Sequence, residues 1–184
     1  QINFWQKKGA VGAVLAREVP FEEMQRLSQH VEVPVEVLVY GATCIHQSKR
    51  PLLDNYFNYT KQSESTSKER GLFISEPKKA ETHYSIYEDQ HGTHIFADND
   101  LNLIKELSEL NQAGYQTWKL DGLFTPGANF VAIAKVFAEA KAAIETNSWD
   151  DAMVDNAQQE IQKYHPVGRG MDTGFYHLDP TAIK

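Results

Sequence analysis

The sharpest hydrophobic pattern in the chain is Val35-Glu-Val-Leu-Val-Tyr40-Gly41-Ala-Thr-Cys44. Val35, Val37 and Val39 share one face, Glu36 and Leu38 the other, and β-branched residues at period two predict a strand. Two further stretches repeat the layout. Ala10 to Ala16 is an apolar run that ends in Arg17-Glu18, and Gln116 to Gly122 alternates, with Thr117, Lys119 and Asp121 on one face and Trp118 and Leu120 on the other. Each run passes from a buried pattern into polar residues, which is how a β/α protein presents chemistry at its strand ends.

Helical patterns separate these runs. Pro20 opens Phe21-Glu-Glu-Met-Gln-Arg-Leu with carboxylates in the first turn, where the helix dipole favours them. Leu101, Ile104, Leu107 and Leu110 form a stripe closed by Gly114. Thr125-Pro126 reads as a cap and a first-turn proline, ahead of a stripe of Phe130, Ile133, Phe137 and Ile144. Strands alternating with helices predict an α/β protein with parallel strands, either an open sheet or a barrel. Parallel strands would bring Arg17, Glu18, the segment Tyr40 to Arg50, and Lys119 with Asp121 to one end of the sheet. Buried charges are rare without partners, so the Lys119 and Asp121 face is the strongest functional candidate; Arg17-Glu18 reads equally well as a salt-bridged junction.

The segment Ile45 to Phe57 is polar and irregular, and it reads as a loop next to the chain's one cysteine, Cys44. Thr60 to Arg70 is crowded with Lys, Ser, Glu and Thr, and the stretch Asn58 to Lys79 around it is expected to be a solvated loop. Gly71 to Ser75, Tyr84 to Tyr87 and His94 to Phe96 predict short strands, a small β-ribbon inserted over about residues 45–98. His91 and His94 read as solvated residues of a turn that enters a strand. After Trp149 come an acidic amphipathic helix with Asp150, Asp151, Asp155 and Glu160, and then a glycine-rich tail. The expected organisation is residues 1–148 as a β/α unit carrying the insertion, with residues 149–184 packed on it.

Taken together, these segments resemble the collagenase-like peptidase family, peptidase family thirty-two. Leu15-Ala-Arg-Glu18, Val35 to Cys44, Ser48-Lys-Arg-Pro-Leu-Leu53, Asp100-Leu101, Lys119-Leu-Asp-Gly122 and Gly174-Phe-Tyr176 follow the order of the family's motifs over nearly the whole chain. The resemblance implies the C-terminal part of a β/α, TIM-like barrel with an inserted small β-ribbon. A complete barrel takes about 250 residues, and the family's N-terminal half has no counterpart in these 184. The exposed edges of such a piece favour association, as a homo-oligomer or with a paralogue.

Departures from the family pattern stand at the strand ends. The signature histidine is Tyr40, the second cysteine is Pro51, and the arginine after the Lys-Ile-Glu-Gly motif is Leu123. Some family members hold a four-iron four-sulfur cluster on four cysteines; with Cys44 alone this chain is expected to bind none by itself. The pattern is most similar to cysteine-poor paralogues implicated in prephenate-dependent hydroxylation of the tRNA wobble uridine. That implies prephenate as a co-substrate, with Arg17 and Arg50 as carboxylate clamps and Glu18 and Tyr40 beside them. Lys119 and Asp121 would act in proton transfer or positioning, and Cys44 is a third catalytic candidate.

Two other functions remain open from the sequence. One is peptide hydrolysis, the family's historical label, for which Cys44 with His46 is the available dyad. The other is a non-catalytic partner for a cysteine-rich paralogue. A net charge of −7 limits how much nucleic acid this chain grips alone, so tRNA is expected to be bound with help from a partner subunit. A single cysteine and no long apolar run predict a cytoplasmic protein with no membrane segment.

Overall fold

The computed structural model describes residues 1–179 and 181 as a mixed α/β protein. The last few residues of the expected C-terminal tail, Pro180 and Ala182 to Lys184, lie outside the described residues. The chain divides into two compact units, residues 1–41 with 101–184, and residues 42–100.

In the first unit a short helix α1 (Ile2–Gln6) precedes β1 (Ala13–Val14), α2 (Phe21–Ser28) and β2 (Val35–Gly41). The second unit carries β3 (Cys44–Ser48), α3 (Leu52–Thr60), β4 (Phe73–Glu76), β5 (Lys79–Asp89) and β6 (Gly92–Phe96). The chain returns through β7 (Asn99–Asn102) to α4 (Leu107–Gln112), β8 (Thr117–Leu120), α5 (Gly127–Glu145), α6 (Asp151–Tyr164) and β9 (Gly170–Asp172).

β2 is the axis of the first unit. β1 pairs parallel with it at Val35 and Glu36, and β8 pairs parallel from Glu36 to Tyr40. β7 runs antiparallel and pairs with its last two residues, Tyr40 and Gly41. With β9 the sheet has five strands and is open among the described residues. The core forms where the valines of β2 meet Met24, Leu107 and Leu110, Ile133 and Phe137, and Ile161, all almost wholly buried. The opposite face of the sheet is barer: Val14 is 71% exposed, and Thr117 and Lys119 are exposed.

Several sequence expectations change here. Leu101 belongs to β7 rather than to a helix, because the backbone of this stretch is used to pair with Gly41; the helical stripe starts only at Leu107. Pro126, not Thr125, occupies the N-cap of α5, and no side chain caps that helix. Pro20 likewise sits at the N-cap of α2. The last turn of the Asx type, at Asp150, does cap: its carboxylate accepts from the Met153 N–H at 2.9 Å and starts α6.

The second unit is a four-stranded antiparallel sheet in the order β3-β6-β5-β4. The stretch expected as a loop, Ile45 to Phe57, instead forms most of β3 and the first two-thirds of α3. Its apolar residues are too sparse to show either period, and pairing with β6 supplies what the local pattern lacks. The expected loop from Asn58 to Lys79 holds the end of α3, a 3-10 turn at Lys68–Arg70 and strand β4. α3 is anchored by a carboxylate from another element. Glu88 of β5, 9% exposed, accepts from the Leu53 and Asp54 N–H groups at 2.6 and 3.1 Å. Those are donors that the first turn of a helix cannot satisfy itself.

Candidate functional site

In the first unit the three parallel strands end at one side of the sheet, so Arg17 and Glu18, Tyr40 and Gly41, and Asp121 follow from the same strand ends. Their positions differ. Arg17 is half-buried in the turn after β1, and its guanidinium makes no hydrogen bond or ion pair among the described residues. It lines a small cleft of ≈ 20 Å³ with Leu15, Met24, Leu101, Thr173 and Tyr176, room for about one water molecule. Glu18, beside it in the same turn, is exposed. Tyr176 closes the cleft, stacked on Phe21 with ring centroids 4.9 Å apart. Burial, and then the Glu109 carboxylate, push its hydroxyl well above the ordinary tyrosine range, so it stays a neutral phenol.

Tyr40 is turned away from solvent altogether. Strict alternation would place it with Glu36 and Leu38, but the β2–β8 register shifts between Leu38 and Tyr40, and the side chain lies in the core. There it is 0% exposed, packs on Phe137 and places its hydroxyl 2.9 Å from His165 Nδ1 and 3.5 Å from Thr125 Oγ1. His165 Nε2 lies 3.1 Å from the Arg169 carbonyl. A carbonyl only accepts, so a neutral imidazole carries its proton on Nε2 and takes the Tyr40 hydroxyl as donor at Nδ1. Sequence reasoning missed His165 and gave Thr125 a different role; residues 85 and 125 positions from Tyr40 leave no local signal.

Lys119 lies on the bare face of the sheet opposite Leu38 and is exposed. Asp121 is half-buried. Its N–H donates to the Tyr40 carbonyl at 2.8 Å, and its Oδ1 accepts from the Leu123 N–H at 2.9 Å, a local turn that uses one carboxylate oxygen. Gly41 makes this closure possible: its φ is +119°, and a Cβ there would stand 2.1 Å from the Asp121 carbonyl oxygen. Gly122 is constrained in the same way by the Phe130 ring, 2.7 Å from where its Cβ would be.

Cys44 and Arg50 belong to the second unit. Cys44 is half-buried at the start of β3 and its thiol donates to the His46 carbonyl at 3.4 Å, not to the imidazole. One thiol does not make the donor set of a four-thiolate cluster, so these residues do not fit that group. The Arg50 side chain is exposed, while its carbonyl accepts from Thr93 Oγ1 at 2.7 Å. His94, expected to be solvated, is instead stacked on Tyr87 and bonded through Nε2 to Asp89 at 2.9 Å. No helix among the described residues is long and apolar enough to cross a membrane.

Comparison with known proteins adds to this geometry. The chain is 36% identical over 178 residues to tRNA hydroxylation protein P2 of Bacillus subtilis (strain 168), an alignment that covers 95% of this chain and 57% of that protein. It is 23% identical over 164 residues to tRNA hydroxylation protein P of Escherichia coli (strain K12), covering 66% and 36%. An uncharacterized protease of Methanocaldococcus jannaschii is 24% identical over 182 residues, covering 94% and 42%. The chain thus spans about half the length of the curated relatives it matches. No solved structure matches it. The model of peptidase family U32 matches residues 1–184, and the chain belongs to that family.

Proposed function

We propose that this chain is part of a protein that hydroxylates the wobble uridine of tRNA with prephenate as co-substrate, and that the strand ends of the first unit hold the reaction. The observation that carries the reading is Arg17, a half-buried guanidinium with no anionic partner among the described residues. An unpaired charge in such a place is costly unless a ligand completes it. A guanidinium matches a carboxylate through two parallel hydrogen bonds, and prephenate offers carboxylates. Asp121 uses one oxygen in its turn and keeps the other for positioning or proton transfer, with Lys119 two residues before it. Glu18 shares the turn with Arg17, and Tyr40 holds the end of β2 in place from within the core. The names of the Bacillus and Escherichia relatives support the reaction class.

The same reading extends to architecture. Parallel strands β1, β2 and β8, with α2 following the first and α5 the last, support a β/α barrel segment. In a barrel, further strands would cover the face that bears Leu38 and Lys119. With a net charge of −7, most phosphate contacts are assigned to a partner subunit, a paralogue being the natural candidate. Peptide hydrolysis is the reading the family name invites, but a thiol bonded to the His46 carbonyl is not engaged by a base.

The test is genetic and chemical. Deleting the gene should remove hydroxyuridine from tRNA, read by nucleoside mass spectrometry, and the wild-type gene should restore it. Asp121→Asn keeps an oxygen for the Leu123 N–H and so preserves the turn, yet should fail to restore the modification, as should Arg17→Gln. Hydroxyuridine unchanged in the deletion strain would sink the proposal.

A further inference from the structure

α3 presents an exposed stripe that the fold does not use. Leu53 is buried, Phe57 is half-buried, and the Glu88 carboxylate grips the first turn. The opposite side carries Leu52, Tyr56 and Tyr59 at the i, i+4, i+7 spacing of one helical face, exposed by 40%, 57% and 87%. Asn55 lies on the same face and Asp54 on another. Two tyrosines three residues apart, about 4.5 Å along the helix axis, form an open aromatic pair, Tyr56 set edge-on to Phe57, whereas Tyr87 of the same unit stacks on Phe96 and on His94.

The ends of this stripe are basic. Lys49 and Arg50 precede the helix, and Lys61 caps it. All three side chains are exposed, and none makes an ion pair among the described residues. Lys61 has φ +55°, the left-handed conformation in which helices usually end on glycine. A lysine there accepts a conformational cost that glycine would avoid. Elsewhere in the unit Arg70 is paired with Glu64 at 3.0 Å, while Lys78 and Lys79 on the β4–β5 turn are exposed without an ion pair among the described residues. Three unpaired cations bracketing two open tyrosines are complementary to a single nucleic acid strand, whose phosphates take the cations and whose bases stack on the rings.

We propose that the Leu52–Tyr56–Tyr59 face of α3, with Lys49, Arg50 and Lys61, is a contact surface for single-stranded RNA, namely the unpaired loop of the tRNA that carries the uridine. This rests on the tRNA reading above and adds to it the element that holds the loop. Stacking gives affinity without sequence preference, and the terminal cations set the strand's direction across the helix. Arg50 then serves the RNA backbone rather than the co-substrate.

The test is fluorescence anisotropy with the full chain, an unmodified tRNA transcript, its isolated anticodon stem-loop, and an RNA duplex of equal length. The loop-containing probes should bind more tightly than the duplex. Tyr56→Ala and Tyr59→Ala should each weaken loop binding about 10-fold, with Tyr→Phe variants retaining it. Lys49→Gln, Arg50→Gln and Lys61→Gln combined should flatten the salt dependence by about two in the log–log slope. All these side chains are exposed, so the melting temperature should stay within about a degree of wild type. Tight tRNA binding that the tyrosine variants leave unchanged overturns the α3 surface while leaving the tRNA reading in place. Equal affinity for the duplex, or variants that lose a protein partner while keeping tRNA, also overturns it. Wild-type chain that binds no tRNA, in a background where deletion leaves hydroxyuridine intact, removes both.

Discussion

The hydroxyl of Tyr40 donates to Nδ1 of His165 across 2.9 Å, joining the last turn-in of β2 to the residue that ends α6. Both are buried, and Thr125 Oγ1 lies 3.5 Å from the same hydroxyl. Tyr40→Phe keeps the ring against Phe137 but removes the buried hydroxyl's bond to His165, a loss of roughly 1–3 kcal/mol. The expected result is a lower urea midpoint with an unchanged slope, since the packing is kept. A midpoint equal to wild type would show that the pair contributes nothing.

Gly41→Ala should be among the most damaging small substitutions in the first unit. The added methyl would meet the Asp121 carbonyl at 2.1 Å on a backbone with φ +119°. β8 would have to move away from β2, at a cost of about 2 kcal/mol or more. Equilibrium unfolding measures this directly. The Tyr40 carbonyl to Asp121 N–H bond should be lost with it, seen as faster amide exchange at Asp121.

Glu88→Gln tests the cap on α3. The amide keeps one acceptor oxygen where the carboxylate has two, so one of the Leu53 and Asp54 N–H groups loses its partner. A charged acceptor at a helix N-terminus also gains from the helix dipole, and the two effects together predict a loss of roughly 1–2 kcal/mol. Hydrogen exchange should rise across α3 and spare α5 and α6.

Asp89 gives the second unit a measurable acid response. The His94 imidazole, and then the His91 N–H, hold its carboxyl below the usual carboxylate range. A depressed carboxylate contributes stability that is present above its unfolded value, about 3.9, and is lost as pH falls through the lower folded value. Carbon-detected NMR titration should place the Asp89 midpoint below 3.9, and His94→Phe should move it upward. A midpoint that ignores the substitution would assign the shift elsewhere.

The parallel strands and the long helix α5 were legible because their signals are local. Val35, Val37 and Val39 share a face at period two, and Ile133, Phe137 and Ile144 recur at helical spacing, so each element declares itself within a few residues. The strand-end positions of Arg17 and Asp121 were legible too, since both stand directly after such runs. β3 and α3 were not legible. Ile45, His46 and Gln47 are exposed and carry no burial pattern; the strand exists because β6 supplies its hydrogen bonds.

What sequence alone determined is therefore the set of elements that bury one face, together with the strand ends that follow them. Tertiary structure decided the rest: that Tyr40, where the β2–β8 register shifts, turns inward to His165, that Glu88 rather than a neighbouring side chain caps α3, and that Tyr56 and Tyr59 stay outside. The division has a physical basis. Periodicity reports burial along a single segment, whereas bulges, distant caps and hydrogen bonds between residues more than a hundred positions apart arise only when segments meet.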